Sequence, residues 1–231
     1  LYAYHALLGR PRSGCVMDHA YWGKEYGEAE VRSALERRGL RYRHFTDETR
    51  LLDATVDDLA AGKVIGWYQG RFEWGPRALG NRSILGDPRR AEMKDIVNTK
   101  IKFREPYRPF APSVLVGESE RYFELPESAR HDPARFMLLV VPVRNDGVPA
   151  VTHVDGSARL QTVFRDTNPR YYELIRRFGE LSGVPVLLNT SFNLKGEPIV
   201  TTPDNAMNTF FASEMDTLVL GNHIVHKSEN A

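Results

Sequence analysis

Helical periodicity and short β-branched runs take turns along the chain, and no other feature restricts the fold as much. Over residues 28–39, Val31, Ala34 and Leu35 recur at helical spacing and Gly39 ends the pattern. A short strand is expected over 42–45. A second helix follows over 48–61, built on Leu51, Leu52, Val56, Leu59 and Ala60 and stopped by Gly62, and 63–69 then has the composition of a buried strand. Asp87-Pro88 opens a helix expected over 89–99. The β-branched and apolar run 136–143, followed by the turn signal Asn145-Asp146-Gly147, predicts a central strand. A helix over 168–181 carries Tyr171, Leu174, Ile175 and Phe178 on one face, and a strand over 184–188 leads into Asn189. Finally, a helix over 204–212 sits behind Pro203, and strand 217–220 precedes 223–226. Strands interleaved with helices predict an α/β domain with a mixed, twisted open sheet and flanking helices.

The opening residues 1–9 lack a Met and read as the last turns of a helix, ending at Gly9 with Pro11 beyond. Residues 1–13 are therefore expected to be the tail of an upstream domain, and 14–231 the domain proper. The lone Cys15 has no partner for an internal disulfide, which fits a reducing, cytoplasmic setting. No apolar run approaches the roughly 18 residues of a membrane span, so no membrane association is expected.

Charge is distributed unevenly. Between Gly70 and Ser113 there are ten Lys and Arg residues against five acids, in a chain whose net charge is +1. Clustered cations repel one another, so the run predicts a pocket for an anion such as phosphate. The small total leaves no global field to recruit nucleic acid.

Three polar stretches carry the candidate chemistry. In 70–83, Arg71, Arg77 and Arg82 offer planar forks matched to phosphate oxygens, and glycines 70, 75 and 80 let the backbone approach a ligand closely. Pairing of these arginines with Glu73 and Asp87 is the alternative. In 100–113, Lys100 and Lys102 share a face if the segment is extended, and Pro106, Pro109 and Pro112 stiffen the stretch presenting Arg104 and Arg108. The third stretch is split between 153–161, with His153, Asp155 and Arg159, and 189–198, with Asn189, Ser191, Phe192 and Asn193. A strand would deliver Asn189 and Ser191 to its carboxyl edge, where open α/β sheets bind ligands. One His and one carboxylate are too few to predict a metal site at His153 and Asp155. No metal held by side chains is expected; Mg²⁺ would arrive with a nucleotide.

The segments Gly70-Arg71 to Glu73, Gly75-Pro76-Arg77-Ala78-Leu79-Gly80-Asn81-Arg82-Ser83-Ile84-Leu85, Arg104-Glu105 with Tyr107-Arg108-Pro109-Phe110-Ala111-Pro112, His153-Val154-Asp155, and Leu188-Asn189-Thr190-Ser191-Phe192-Asn193 with Gly196-Glu197-Pro198-Ile199 resemble, in order, the C-terminal half of the O-carbamoyltransferases of nodulation-factor and antibiotic biosynthesis. The resemblance implies a YrdC-like fold that forms carbamoyl adenylate from carbamoyl phosphate and ATP with Mg²⁺. An upstream Kae1-like domain in cis, with an iron site, would pass the carbamoyl group to a hydroxyl. It further implies that Arg77, Lys102, Arg108 and Arg159 hold carbamoyl phosphate and the ATP phosphates, and that Asn189 and Ser191 contact the nucleotide or the carbamoyl group. Arg71, Arg82 and Lys100 would touch the ligand or support those that do. Arg77 and Lys102 are both expected to be solvent-reachable. A threonylcarbamoyl-adenylate synthase or RNA-binding relative, and a non-catalytic nucleotide sensor, are the competing readings; a homodimer is compatible with all of them.

Overall fold

The computed structural model describes residues 2–10, 17–105, 107–126 and 133–230. Cys15, Pro11 and Pro106, each given a meaning above, lie outside the described residues. One nine-stranded sheet organises the domain. Its strands are β1 (Arg43–His44), β2 (Ile65–Tyr68), β3 (Arg82–Gly86), β4 (Ala111–Leu115), β5 (Leu139–Pro142), β6 (Ser157–Val163), β7 (Val186–Ser191), β8 (Thr217–Leu220) and β9 (His223–His226). Across the sheet they run β1-β9-β8-β2-β3-β7-β4-β6-β5. β2 with β8 and β4 with β6 are parallel pairs; the remaining neighbours are antiparallel, so the sheet is mixed as expected.

Side-chain alternation along the strands divides the core into two layers. Val186 and Leu188 of β7 join one cluster with Val31 and Leu35 of α1 (Glu28–Arg37) and Met207 and Phe210 of α6 (Pro203–Phe211). Leu187, between them, joins the other cluster with Leu52 and Leu59 of α2 (Glu48–Ala60) and Leu174 and Phe178 of α5 (Pro169–Ser182). Helices thus cover both faces. Three helices are capped by side chains: Asp47 accepts from the Thr49 N–H, Asn168 from that of Tyr171, and Thr202 from that of Asn205. Two one-turn helices complete the set, α3 (Met93–Ile96) and α4 (Ser119–Tyr122).

Several expectations are corrected. The run 136–143 is no central strand: β5 is the terminal strand of the sheet, and Leu138 and Val140 are exposed. Its apolar composition belongs to an edge. The helix expected over 89–99 starts only at Met93, because the Asp87 carboxylate folds back onto the Arg89 N–H and guanidinium instead of capping a helix. After Ile96 the helix widens to one π-type turn, Val97–Ile101, which closes with the Lys102 N–H donating to the Val97 carbonyl at 2.8 Å. Strands β3, β4 and β6 begin inside the three polar stretches, for which no strand was expected. And β7 continues past Leu188 to Ser191, so Asn189 and Ser191 are strand residues, paired to β3 and β4.

Among the described residues, no helix is long and apolar enough to cross a membrane.

Candidate functional site

The carboxyl end of β7 lies beside the first residues of β4, which runs antiparallel to it, and β6 runs parallel to β4. This arrangement gathers Arg159 from β6, Asn189 and Ser191 from β7, Ala111 from β4, Arg77 and Ala78 from the loop before β3, and Arg104 from the segment before β4. Together they line a cleft of about 90 Å³. Among the described residues, no carboxylate belongs to that lining.

The cations form a chain of mutual repulsion. Burial and then Arg77 lower the pKa of Arg159. Arg104 is lowered by burial and by Arg108 and Arg159, with Glu105 opposing. Lys102 is pulled down to about 7, chiefly by burial and further by Arg104, with Glu197 opposing. Each of these shifts states that positive charge here is unfavourable until an anion arrives. Arg77 is exposed and makes no hydrogen bond or ion pair among the described residues, and the Arg159 Nε is buried without a partner.

Arg104 is the residue that the sequence reading placed on a stiff loop but left out of the site. The buried Asn98 fixes it: Asn98 Oδ1 accepts from Arg104 Nε at 2.7 Å, and its Nδ2 donates to the Arg108 carbonyl at 3.0 Å. The guanidinium also lies over the Phe110 ring at 4.8 Å. Its signal was an arginine held between a helix end and a proline-containing strand. Both non-glycine residues with positive φ among the described residues adjoin the cleft. Phe103, at 47°, reverses the chain between Lys102 and Arg104, and Met137, at 56°, is in the lining. Strain of this kind collects at functional sites.

Lys102 is not solvent-reachable, contrary to expectation. It is 4% exposed, and its ammonium donates to the carbonyls of Ser191 and Asn193 (2.9 Å to the latter) and to Asn193 Oδ1 at 2.8 Å. All three donors are engaged, so Lys102 anchors the turn after β7 and lends its charge to the cleft wall. Ser191 Oγ donates to Asn193 Oδ1 at 2.6 Å, giving that turn a fixed shape. Asn189 is buried at the cleft wall. Its Nδ2 donates to the Ala78 carbonyl, Ser113 Oγ and Gln161 Oε1, while its Oδ1 has no partner among the described residues.

Other expected site residues are placed elsewhere. Arg82 is fully buried, donating to the carbonyls of Gln69, Asn81 and Gly70 and lying 3.7 Å from the Tyr68 ring centroid. It ties β3 to the loop and presents no donor to the cleft. Arg71 hydrogen-bonds the Gly23 and Trp22 carbonyls, on a separate groove with Glu25 and Arg170. Lys100 faces Glu214 at 3.7 Å and Arg108 faces Glu105 at 2.9 Å, both at the surface. Phe192 is a core residue whose ring lies where a Gly66 Cβ would fall. His153 Nδ1 and Asp155 both bind Ser157 rather than each other; the His153 Nε2 is buried and unpartnered, and burial lowers its pKa.

The loop 73–82 is organised from inside. The fully buried Glu73 accepts the backbone N–H groups of Leu79 at 2.6 Å, Asn81 at 2.8 Å and Arg82 at 3.1 Å, and burial lifts its pKa to about 7. Glu73 therefore shapes the loop that presents Arg77 and pairs with none of the candidate arginines. Gly80 was expected to admit a ligand, but what approaches it is Tyr171. With φ at +108°, a Cβ there would fall 2.2 Å from the ring.

Comparison with known proteins agrees with this layout. The fold is YrdC-like: a structure of full-length HypF in a phosphate- and nucleotide-bound form matches with a TM-score of 0.54 at 16% identity, covering 75% of this chain and 25% of HypF. The nodulation protein NolO of Bradyrhizobium diazoefficiens is 45% identical over 223 residues, covering 95% of this chain and 40% of NolO. The 3'-hydroxymethylcephem-O-carbamoyltransferase of Streptomyces clavuligerus is 42% identical over 164 residues, which is 71% of this chain and 30% of that enzyme. The chain thus spans about two fifths of the length of NolO. Residues 56–227 match the family model described as the carbamoyltransferase C-terminus, and the chain belongs to that family.

Proposed function

We propose that this domain forms carbamoyl adenylate from carbamoyl phosphate and ATP, for transfer to a hydroxyl by an upstream Kae1-like domain of the same polypeptide. The observation that carries the reading is the acid-free cleft in which Arg77, Arg104 and Arg159 meet with charge from Lys102 behind them. Three cations left without carboxylates are built for a ligand carrying several negative charges. Relatives named as carbamoyltransferases, and a fold neighbour solved with phosphate and nucleotide, support the same class of substrate.

Carbamoyl phosphate first exchanges its phosphate for water, giving carbamate and inorganic phosphate. A carbamate oxygen then attacks the α-phosphorus of ATP, and the bond to the bridging oxygen breaks to release pyrophosphate. Both reactants are anions that repel in water. The arginines hold them in line and take up the charge that grows on the leaving oxygen. The partnerless Asn189 Oδ1 accepts a hydrogen bond from the carbamoyl NH₂, which a carboxylate or phosphate could not supply; this separates carbamoyl from simpler anions. Because no carboxylate lines the cleft, Mg²⁺ would be held by the nucleotide phosphates and water, where it neutralises their charge.

The test is incubation of the chain with carbamoyl phosphate, ATP and Mg²⁺, following pyrophosphate and a carbamoylated nucleotide. Replacing carbamoyl phosphate by threonine and bicarbonate distinguishes a threonylcarbamoyl-adenylate synthase, and ATP binding without turnover a nucleotide sensor.

A further inference from the structure

At the opposite end of the sheet from the cleft, four strand spacings away and so roughly 20 Å distant, three metal-type donors converge. The register of β1 with β9 sets His44 directly across from His223, on the face that α1 covers. Their rings lie side by side, with centroids 4.8 Å apart. Glu28, the first residue of α1, reaches down so that its Oε1 stands 3.1 Å from His44 Nε2 and 3.2 Å from His223 Nε2. All three donor atoms lie within 4.8 Å of one another. Donors on a tetrahedral zinc ion, at about 2.0–2.1 Å from it, stand roughly 3.4 Å apart.

The hydrogen bonding of His223 is informative. The residue is completely buried, and its Nδ1 faces the Leu220 carbonyl at 3.3 Å, which can only accept. A proton therefore sits on Nδ1, and in the neutral imidazole Nε2 turns a lone pair toward Glu28 and His44. That Nε2 makes no hydrogen bond. A lone pair 3.2 Å from a carboxylate oxygen is repulsive unless a cation lies between them. A histidine whose other nitrogen is tied to a backbone carbonyl is the arrangement that orients metal ligands.

We propose that Glu28, His44 and His223 bind one zinc-type divalent ion, with water completing its coordination on the exposed side. The ion ties the two-residue edge strand β1 and the start of α1 to β9. Arg32 competes for it: its Nη2 sits 3.3 Å from Glu28 Oε1 as a helical surface pair. Such exposed pairs are weak, so the ion displaces the guanidinium.

The experiment titrates Zn²⁺ alone into the chelator-treated 231-residue chain by calorimetry, with thermal unfolding measured alongside. Glu28→Gln and His44→Ala are the informative variants, because both side chains are partly exposed and the chelated variants are expected to melt close to the parent. The expected result is one equivalent bound, a raised Tm, affinity reduced about tenfold or more in each variant, and tighter binding in Arg32→Gln. Absence of stoichiometric binding, or binding that persists equally in Glu28→Gln and His44→Ala, overturns the proposal.

Discussion

The Lys102 ammonium lies 2.8 Å from Asn193 Oδ1, and the same amide oxygen accepts from Ser191 Oγ at 2.6 Å, so one buried cation sets the shape of the turn that closes the cleft. The lysine is held by neutral oxygens, and burial, with Arg104 adding to it, favours loss of its proton. Its charge is therefore the most adjustable in the site.

A pH dependence follows. In the ligand-free protein the Lys102 pKa is lowered to about 7, so at higher pH the group is neutral and binding a polyanion must take up a proton. Carbamoyl phosphate affinity is expected to weaken as pH rises above 7, by at most about tenfold per unit for one linked proton. In Lys102→Met the affinity is lower throughout and this slope is absent. Calorimetry in two buffers of different ionisation enthalpy reads the proton directly. For stability the sign is opposite to that of a stabilising lysine. The unfolded chain binds the proton more tightly than the native one, so this group makes the native state more stable as pH rises from about 7 toward its ordinary 10.5.

Arg77 and Arg82, five apart in one motif, are expected to behave in opposite ways. Arg77→Ala removes an exposed side chain with no protein partner, so unfolding free energy changes by less than about 0.5 kcal/mol while pyrophosphate release falls by roughly 10²–10³. Arg82→Ala leaves the carbonyls of Gln69 and Gly70 without their donor, each at a cost of about 1–3 kcal/mol. Denaturant melts of the two variants, beside their turnover, separate the roles.

Glu73 and Gly80 hold the loop from below. Glu73→Ala orphans three backbone N–H groups in the core, each worth about 1–3 kcal/mol. Gly80→Ala drives a methyl into the Tyr171 ring at a positive φ and costs about 3 kcal/mol or more. Both variants are expected to melt well below the parent protein, and in Gly80→Ala a second change, Tyr171→Leu, recovers part of the loss because it removes the ring.

Much of the scaffold could be read from periodicity. The helices carrying Val31, Leu52 and Phe178 and the strand around Trp67 have apolar residues at the spacing that burial demands. The strands that build the site hid for a common reason. β3 begins with Arg82, β4 contains Pro112, and β6 alternates Ala158 and Leu160 with Arg159 and Gln161, so their polar residues resembled a loop. That last alternation was a period-two strand signal. Arg77 was found from charge clustering, and Arg159 from the family resemblance. Arg82 and Lys102 carry the same charge and face inward, and only the tertiary fold reveals which carbonyls surround them. The Glu28, His44 and His223 cluster was invisible because its members lie far apart in the chain and meet only through the pairing of β1 with β9.

The most direct measurement is pyrophosphate release by Arg104→Ala compared with the parent chain, supplied with carbamoyl phosphate, ATP and Mg²⁺. If the acid-free cleft is where the anions are activated, the parent releases pyrophosphate and forms a carbamoylated nucleotide only when carbamoyl phosphate is present, and Arg104→Ala loses about 10²-fold or more with its fold intact. Equal turnover in both proteins, or release that does not require carbamoyl phosphate, would contradict the account.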